Sequence, residues 1–182
     1  MGALKLEDLP HYTYNDYKQW DSNAWELIYG IAYAMSPAPM INHQKISNKI
    51  GRFLDEIFEE CQKCQALLPI DWKISEDTIV QPDNSVICHT PEHEAYITKA
   101  PKIIFEVLSK STMKKDTGLK FDLYEREGVE YYVIVDPDER LAKVYKRHEG
   151  RFIKMLYASD ETFMFELKEC TPSKAFEFSK IW

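Results

Sequence analysis

The chain has 182 residues, 45% of them hydrophobic, which is enough to bury one full core and too few for two, so residues 1–182 are read as a single domain. Its formal net charge of -7 excludes a protein that holds nucleic acid through its overall field, although a local basic cleft is still compatible with it. No apolar run reaches membrane-span length and Met1-Gly2-Ala3-Leu4-Lys5 lacks the apolar core of a signal peptide, so a cytoplasmic protein with four reduced cysteines is expected.

The first predicted element is a short helix from Thr13 to Trp20, with Thr13 as N-cap and Asp16 completing a capping box. Trp25 to Met35 reads as two strands hinged at Gly30, and spacing alone makes Glu26 an outward-facing strand residue. Pro37 and Pro39 close that unit.

From Asn42 to Cys61 the pattern becomes helical, Ile46, Ile50, Phe53, Leu54, Ile57 and Phe58 making one apolar stripe. Lys45, Lys49 and Arg52 line a neighbouring strip, while Asp55, Glu56, Glu59 and Glu60 gather at the far end, where acids oppose the helix dipole. A solvated charged face is one reading of the basic strip and a phosphate-facing surface is the other. Cys61-Gln62-Lys63-Cys64 sits at a helix end, the wrong end for a redox pair. A zinc site would need two more ligands, for which Cys88, His89 and His93 are the downstream candidates, and ordinary buried thiols are expected instead.

A strand is predicted between Ala66 and Ser75, with Pro69 at an edge or bulge. Two further runs, Ile79 to Ile87 and Lys102 to Glu106, read as buried strands, and each interrupts its apolar pattern with one carboxylate, Asp83 and Glu106. An ionised acid flanked by Val, Ile and Phe requires a cation, a proton or several donors, and a divalent metal answers that need. Ser111 to Gly128 reads as a helix with Asp116 and Lys120 four apart on one face. Tyr131 to Val135 is a buried strand, and Leu141 to Tyr145, Arg151 to Tyr157 and Thr162 to Leu167 read as a closing meander. Strand, helix and strand around Glu106 imply a parallel crossover in an otherwise antiparallel sheet, a mixed α/β or α+β sandwich.

Trp25-Glu26-Leu27 with Gly30, Asn42-His43-Gln44, Gln81-Pro82-Asp83, Phe105-Glu106-Val107-Leu108-Ser109, Asp116 with Lys120, Tyr124, and Gly128 to Tyr132 with Val135-Asp136-Pro137 occur in one order. Together they resemble the Uma2 family of bacterial endonucleases, over about Tyr12 to Tyr157. The resemblance implies the PD-(D/E)XK superfamily and the restriction-endonuclease-like fold, a mixed central sheet flanked by helices, here with added antiparallel strands. It implies Asp83 and Glu106 as metal-binding carboxylates, Glu26 as an outlying acid ligand, and Lys120 as the catalytic amine. The superfamily's usual lysine position, two beyond the second carboxylate, is Leu108, so the amine must come from the Asp116 to Lys120 helix. His43 is either a partner for the acids or a satisfied residue at a helix start, and Asp116 is the neighbour of Lys120.

Converging carboxylates make an oxygen-rich nest for Mg²⁺ or Mn²⁺, whose chemistry suits phosphodiester hydrolysis. The expected partner is DNA, held weakly and salt-dependently through Lys45, Lys49, Arg52, Lys110, Lys114 and Lys115, with no membrane and a homodimer left open. A non-catalytic nucleic-acid or protein-binding module on the same fold, and a hydrolase of smaller phosphodiesters, are the competing readings.

Overall fold

The computed structural model describes residues 10–20, 25–35 and 40–182. Helix α1 (Tyr14–Tyr17) is shorter than expected, but Thr13 N–H donates to Asp16 Oδ2 at 2.8 Å, the capping interaction anticipated from sequence. Strands β1 (Trp25–Ile28) and β2 (Ile31–Ala34) form a hairpin whose turn residues Tyr29 and Gly30 have φ of 53° and 76°, the primed-turn geometry that matches strand twist. Gly30 is needed twice there, because a Cβ would also lie 2.1 Å from the His11 ring. Pro37 and Pro39 lie outside the described residues.

Helix α2 (Ile41–Phe58) buries the whole predicted stripe, Ile46, Ile50, Phe53, Leu54, Ile57 and Phe58. Each such side chain contributes roughly 1.5–3 kcal/mol, and truncating a central one such as Leu54 costs about 2–5 kcal/mol. The single strand predicted between Ala66 and Ser75 is two, β3 (Gln65–Leu67) and β4 (Asp71–Ser75), divided at Leu68-Pro69-Ile70 and belonging to different sheets. The run from Ile79 to Ile87 likewise divides into β5 (Thr78–Val80) and β6 (Asn84–Ile87). Pro82, which has no N–H to give a ladder, and Asp83 form the corner where the chain passes from one sheet to the other. Asp83 therefore precedes its strand rather than lying within it.

A five-stranded sheet has the order β2-β1-β5-β4-β7, closing with the two-residue β7 (Tyr96–Ile97). The six-stranded sheet is ordered β11-β10-β9-β8-β6-β3, from β8 (Ile103–Val107), β9 (Tyr131–Asp136), β10 (Leu141–His148) and β11 (Arg151–Ala158). Its one parallel pair is β8 with β9, Glu106 opposite Ile134. The crossover between them is a π-helical turn, Lys115–Leu119, running into helix α3 (Lys120–Glu127), which Gly128 ends at φ 89° with its N–H donating to Tyr124 O. The last predicted strand is shorter than expected: β12 (Thr162–Phe163) pairs only with β13 (Phe176–Glu177).

Both faces of β8 and β9 are covered, hence their unbroken apolar runs. Ile103, Phe105 and Val107 face α2 and the C-terminal Phe165, Phe176 and Phe178, while Ile104 joins Trp72, Leu123, Tyr124 and Tyr132 in a second cluster. The period of two thus sends Glu106 toward α3. The cysteines overturn the expectation of free thiols: Cys61 is bonded to Cys170 and Cys64 to Cys88. The turn that ends α2, the residue after β6 and the Leu167–Cys170 turn meet at one edge of the core, which spacing along the chain does not reveal.

Candidate active site

Four elements deliver acids to one cavity of about 330 Å³: β1 brings Glu26, the corner before β6 brings Asp83, β8 brings Glu106 and the π-helical turn brings Asp116. Lys120, the first residue of α3, lines the same cavity, with its side chain only 3% exposed. Its ammonium lies 2.7 Å from Glu26 Oε1 and 2.8 Å from Glu106 Oε1, against 3.8 Å from Asp116 Oδ1. The amine thus reaches the cavity from the crossover helix, and the plain helix-surface pair with Asp116 is the weakest of its three contacts.

Glu26 corrects the spacing argument, since it is 1% exposed and points inward. Both its oxygens are engaged, Oε1 by Gln81 N–H at 2.9 Å and by Lys120, Oε2 by Lys115. Glu26 is thus paired with two lysines and a main-chain N–H as the side chains stand. Burial works against its charge, yet Lys120 and Lys115 hold it below the usual glutamate range. Glu106 goes the other way. Burial pushes its carboxyl well above the usual range, Lys120 offsets only part of this, and Asp116, Asp83 and Glu26 add repulsion. Asp116 is also raised, by burial first, with Lys120 and Thr112 opposing.

Asp83 Oδ2 accepts from Val107 N–H at 2.8 Å and sits 3.2 Å from His43 Nε2. The first turn of α2 therefore supplies the partner of Asp83, and against the cost of burial the Asp83 hydrogen bond and charge raise the His43 pKa. Two more groups join the site that were given no role in it from the sequence, although Tyr124 stands among the family's motif residues. Tyr124, one helical turn beyond Lys120, donates to Glu106 Oε1 at 2.8 Å, and its i+4 spacing from Lys120 was the available signal. Asp71 accepts from Tyr17 Oη at 3.0 Å and from Gln81 Nε2 at 3.1 Å, buttressing the residue whose main chain holds Glu26.

The basic residues separate on inspection. Lys115 is bound to Glu26 and Lys49 to the main-chain oxygen of Trp182, so both are engaged inside the fold rather than offered to phosphates. Arg52 lies over the Phe53 ring, 5.5 Å from its centroid. Lys45, Lys110 and Lys114 are exposed, and Lys110 lines the cavity.

Among the described residues no group of three or more His, Cys, Asp or Glu is set to hold a metal as the side chains stand. The Lys120 ammonium bridges Glu26 and Glu106, doing there what a shared cation was expected to do. The donor set nevertheless suits a hard divalent ion. Four acids share the cavity with three lysines, of which Lys110 is exposed, and buried Asp116 Oδ1 has no hydrogen-bond partner. Asp83 and Glu106 would hold such an ion, with Asp116 beside them.

A mixed sheet with one parallel crossover, flanked by helices and extended by antiparallel strands, defines the restriction-endonuclease-like class. Within it, the sequence pattern of the family described as "Uma2: Putative restriction endonuclease" matches residues 14–173, and the chain belongs to that family. A crystal structure of a "putative nuclease belonging to DUF820" from Anabaena variabilis superposes with a TM-score of 0.75 at 17% identity, over 93% of this chain and 96% of that one. A DrdV–DNA complex gives a TM-score of 0.32 at 12% identity, over 63% of this chain and 12% of that one, and carries no argument. No curated protein matches the chain.

Proposed function

We propose that this protein is a divalent-metal-dependent endonuclease that hydrolyses phosphodiester bonds in DNA. The observation that carries the reading is the buried Glu26–Lys120–Glu106 bridge set beside the Asp83–His43 pair in one cavity. Core stability does not call for four acids and three lysines at the meeting of two sheets, whereas charge chemistry on a phosphate does. Mg²⁺ or Mn²⁺ held by Asp83 and Glu106 would supply charge neutralisation and an acidified water when bound.

The chain's own groups have separable tasks. Lys120 stays cationic, because its three acid neighbours hold its pKa well above the ordinary value even against burial, so it acts as a fixed positive charge toward the reacting phosphate. Tyr124 keeps its proton, since burial and Glu106 both raise its pKa, and orients the Glu106 carboxylate by donating to Oε1. His43 and the Val107 N–H fix Asp83 from two sides. Lys45, Lys110 and Lys114 hold the DNA backbone weakly and with steep salt dependence on a chain of net charge -7. On this reading the protein works in the cytoplasm, where its substrate is.

A second reading has its own observation. The Lys120 ammonium fills the gap between Glu26 and Glu106, an arrangement that also suits a binding module that has kept the fold without turnover. Plasmid cleavage with Mg²⁺ or Mn²⁺ against an EDTA control separates the two. The nuclease reading expects metal-dependent nicking that Asp83→Asn and Glu106→Gln each abolish. Cleavage persisting in both variants would expose a contaminant and sink it.

A further inference from the structure

All four cysteines of the chain meet at one place, from three segments far apart in sequence. Cys61 and Cys64 share the turn that ends α2, where Cys64 N–H donates to Cys61 O at 3.0 Å, which makes the two sulfur pairs neighbours. Cys88 follows β6, and Cys170 ends a turn in which Leu167 N–H donates to Cys170 O at 3.2 Å. Cys61 and Cys64 are buried in the main apolar cluster, and Cys88 and Cys170 are half-buried against it. Cys-x-x-Cys on a tight turn, completed by two half-buried sulfurs from other segments, is the donor pattern of a closed structural zinc site. His89 lines the shallow cavity beside Cys64 and Cys88, but His93 stacks on Tyr96, so the sulfurs and not the histidines complete the set.

The disulfides bear on this through the compartment, and here the argument rests on the nuclease reading. A protein acting on DNA inside the cell works where thiol reductants keep cysteines reduced. Two dithiols, each giving up two electrons and two protons and closing to a disulfide, would convert both bonds to four thiols. One Zn²⁺ then displaces four protons to solvent, leaving a tetrathiolate centre of net charge -2. We propose that in the reduced protein Cys61, Cys64, Cys88 and Cys170 form a four-thiolate site for one zinc ion, of which the two disulfides are the oxidised, metal-free form. Either form ties the end of α2 to the end of β6, the two elements at whose starts His43 meets Asp83.

The test uses the full chain carrying Asp83→Asn and Glu106→Gln, so that the carboxylate cavity contributes no metal. After reduction with a dithiol, addition of zinc alone and desalting under argon, about one zinc per chain should remain, with four thiols shielded from alkylation. The oxidised chain should retain none. Cobalt in place of zinc should give the thiolate charge-transfer and tetrahedral bands of a four-sulfur site, a readout that needs no cysteine variant to fold. Cys170→Ser, where circular dichroism shows it folded, should hold zinc about 100-fold more weakly. Zinc below about 0.2 per chain with all four thiols freely alkylated would overturn the proposal. So would disulfides that survive the dithiol in the native protein, which would mark them as permanent staples. Because metal content and thiol protection are the readouts, a chain that cleaves no DNA would remove the nuclease reading without deciding this one.

Discussion

Lys120→Met tests the electrostatic account of the cavity most directly, because methionine keeps most of the aliphatic stem and removes only the charge. In the parent, the one ammonium lies within 2.8 Å of both Glu26 and Glu106 at 3% exposure. Without it Glu106 keeps the Tyr124 hydroxyl, while Glu26 retains Lys115 and Gln81 N–H. Removing one partner of a buried ion pair costs about 3–5 kcal/mol when the remaining charge cannot escape. Here it can escape by taking up a proton, so the loss must depend on pH.

The sign follows from linkage. In the variant the folded-state pKa of Glu106 rises further above its unfolded value, so its contribution to stability is complete below the unfolded pKa and is lost as pH rises through the folded one. In the parent, Glu26 is depressed, so its contribution is present above the unfolded pKa and lost as pH falls through the folded one. Both effects make the stability gap widest at neutral to alkaline pH and close it toward acid. Each carboxylate displaced by one pKa unit adds about 1.4 kcal/mol to the gap. Urea unfolding of parent and variant between pH 5 and pH 8 would measure it, with equal m-values as the check on two-state behaviour. A gap of about 3 kcal/mol at pH 8 that shrinks by at least half at pH 5 is expected. A gap that is flat with pH, or below about 1 kcal/mol throughout, would refute the shared-ammonium account.

Tyr124→Phe removes one hydrogen bond to a buried carboxyl and should cost about 1.5–3 kcal/mol by urea midpoint, with a fall in any cleavage rate that exceeds the change in DNA affinity. Neutralising Lys110 and Lys114 should each lower the slope of log affinity against log salt by about one unit in fluorescence titrations, whereas Lys49→Met, already bound to Trp182, should leave that slope unchanged. Asp83→Asn or Glu106→Gln should keep or improve DNA binding by taking away negative charge while metal-dependent nicking disappears, which gel shift and plasmid assays would score side by side.

Legibility in the sequence followed the range of the forces involved. The α2 stripe and the β8–α3–β9 crossover were readable because burial repeats with a local period, 3.6 along Ile46 to Phe58 and a double-sided run along Ile103 to Val107. Gly30 and Gly128 were readable as punctuation because only φ above zero closes those turns. The division of Ile79 to Ile87 between two sheets was missed, although Pro82 marked it, because an apolar run reads the same whether its two halves pair with one neighbour or with two.

Charge placement was the least local quantity and the least readable. Glu26 alternates along β1 like any outward strand residue, and only its pairing with Lys115 and Lys120, 89 and 94 positions later, explains why an inward acid is tolerated. The same holds for Cys170, which no Cys-x-x-Cys rule would have joined to Cys61. Both cases share a physical cause. A buried charge or thiol is stabilised by a specific partner rather than by a face, and a partner can come from any part of the chain that the apolar core brings near. The stripes of α2, β8 and β9 therefore decide where the acids end up, and the acids in turn account for the lysine buried among them. Replacing Lys120 by a neutral residue while leaving every apolar contact in place asks whether that order of causes is right.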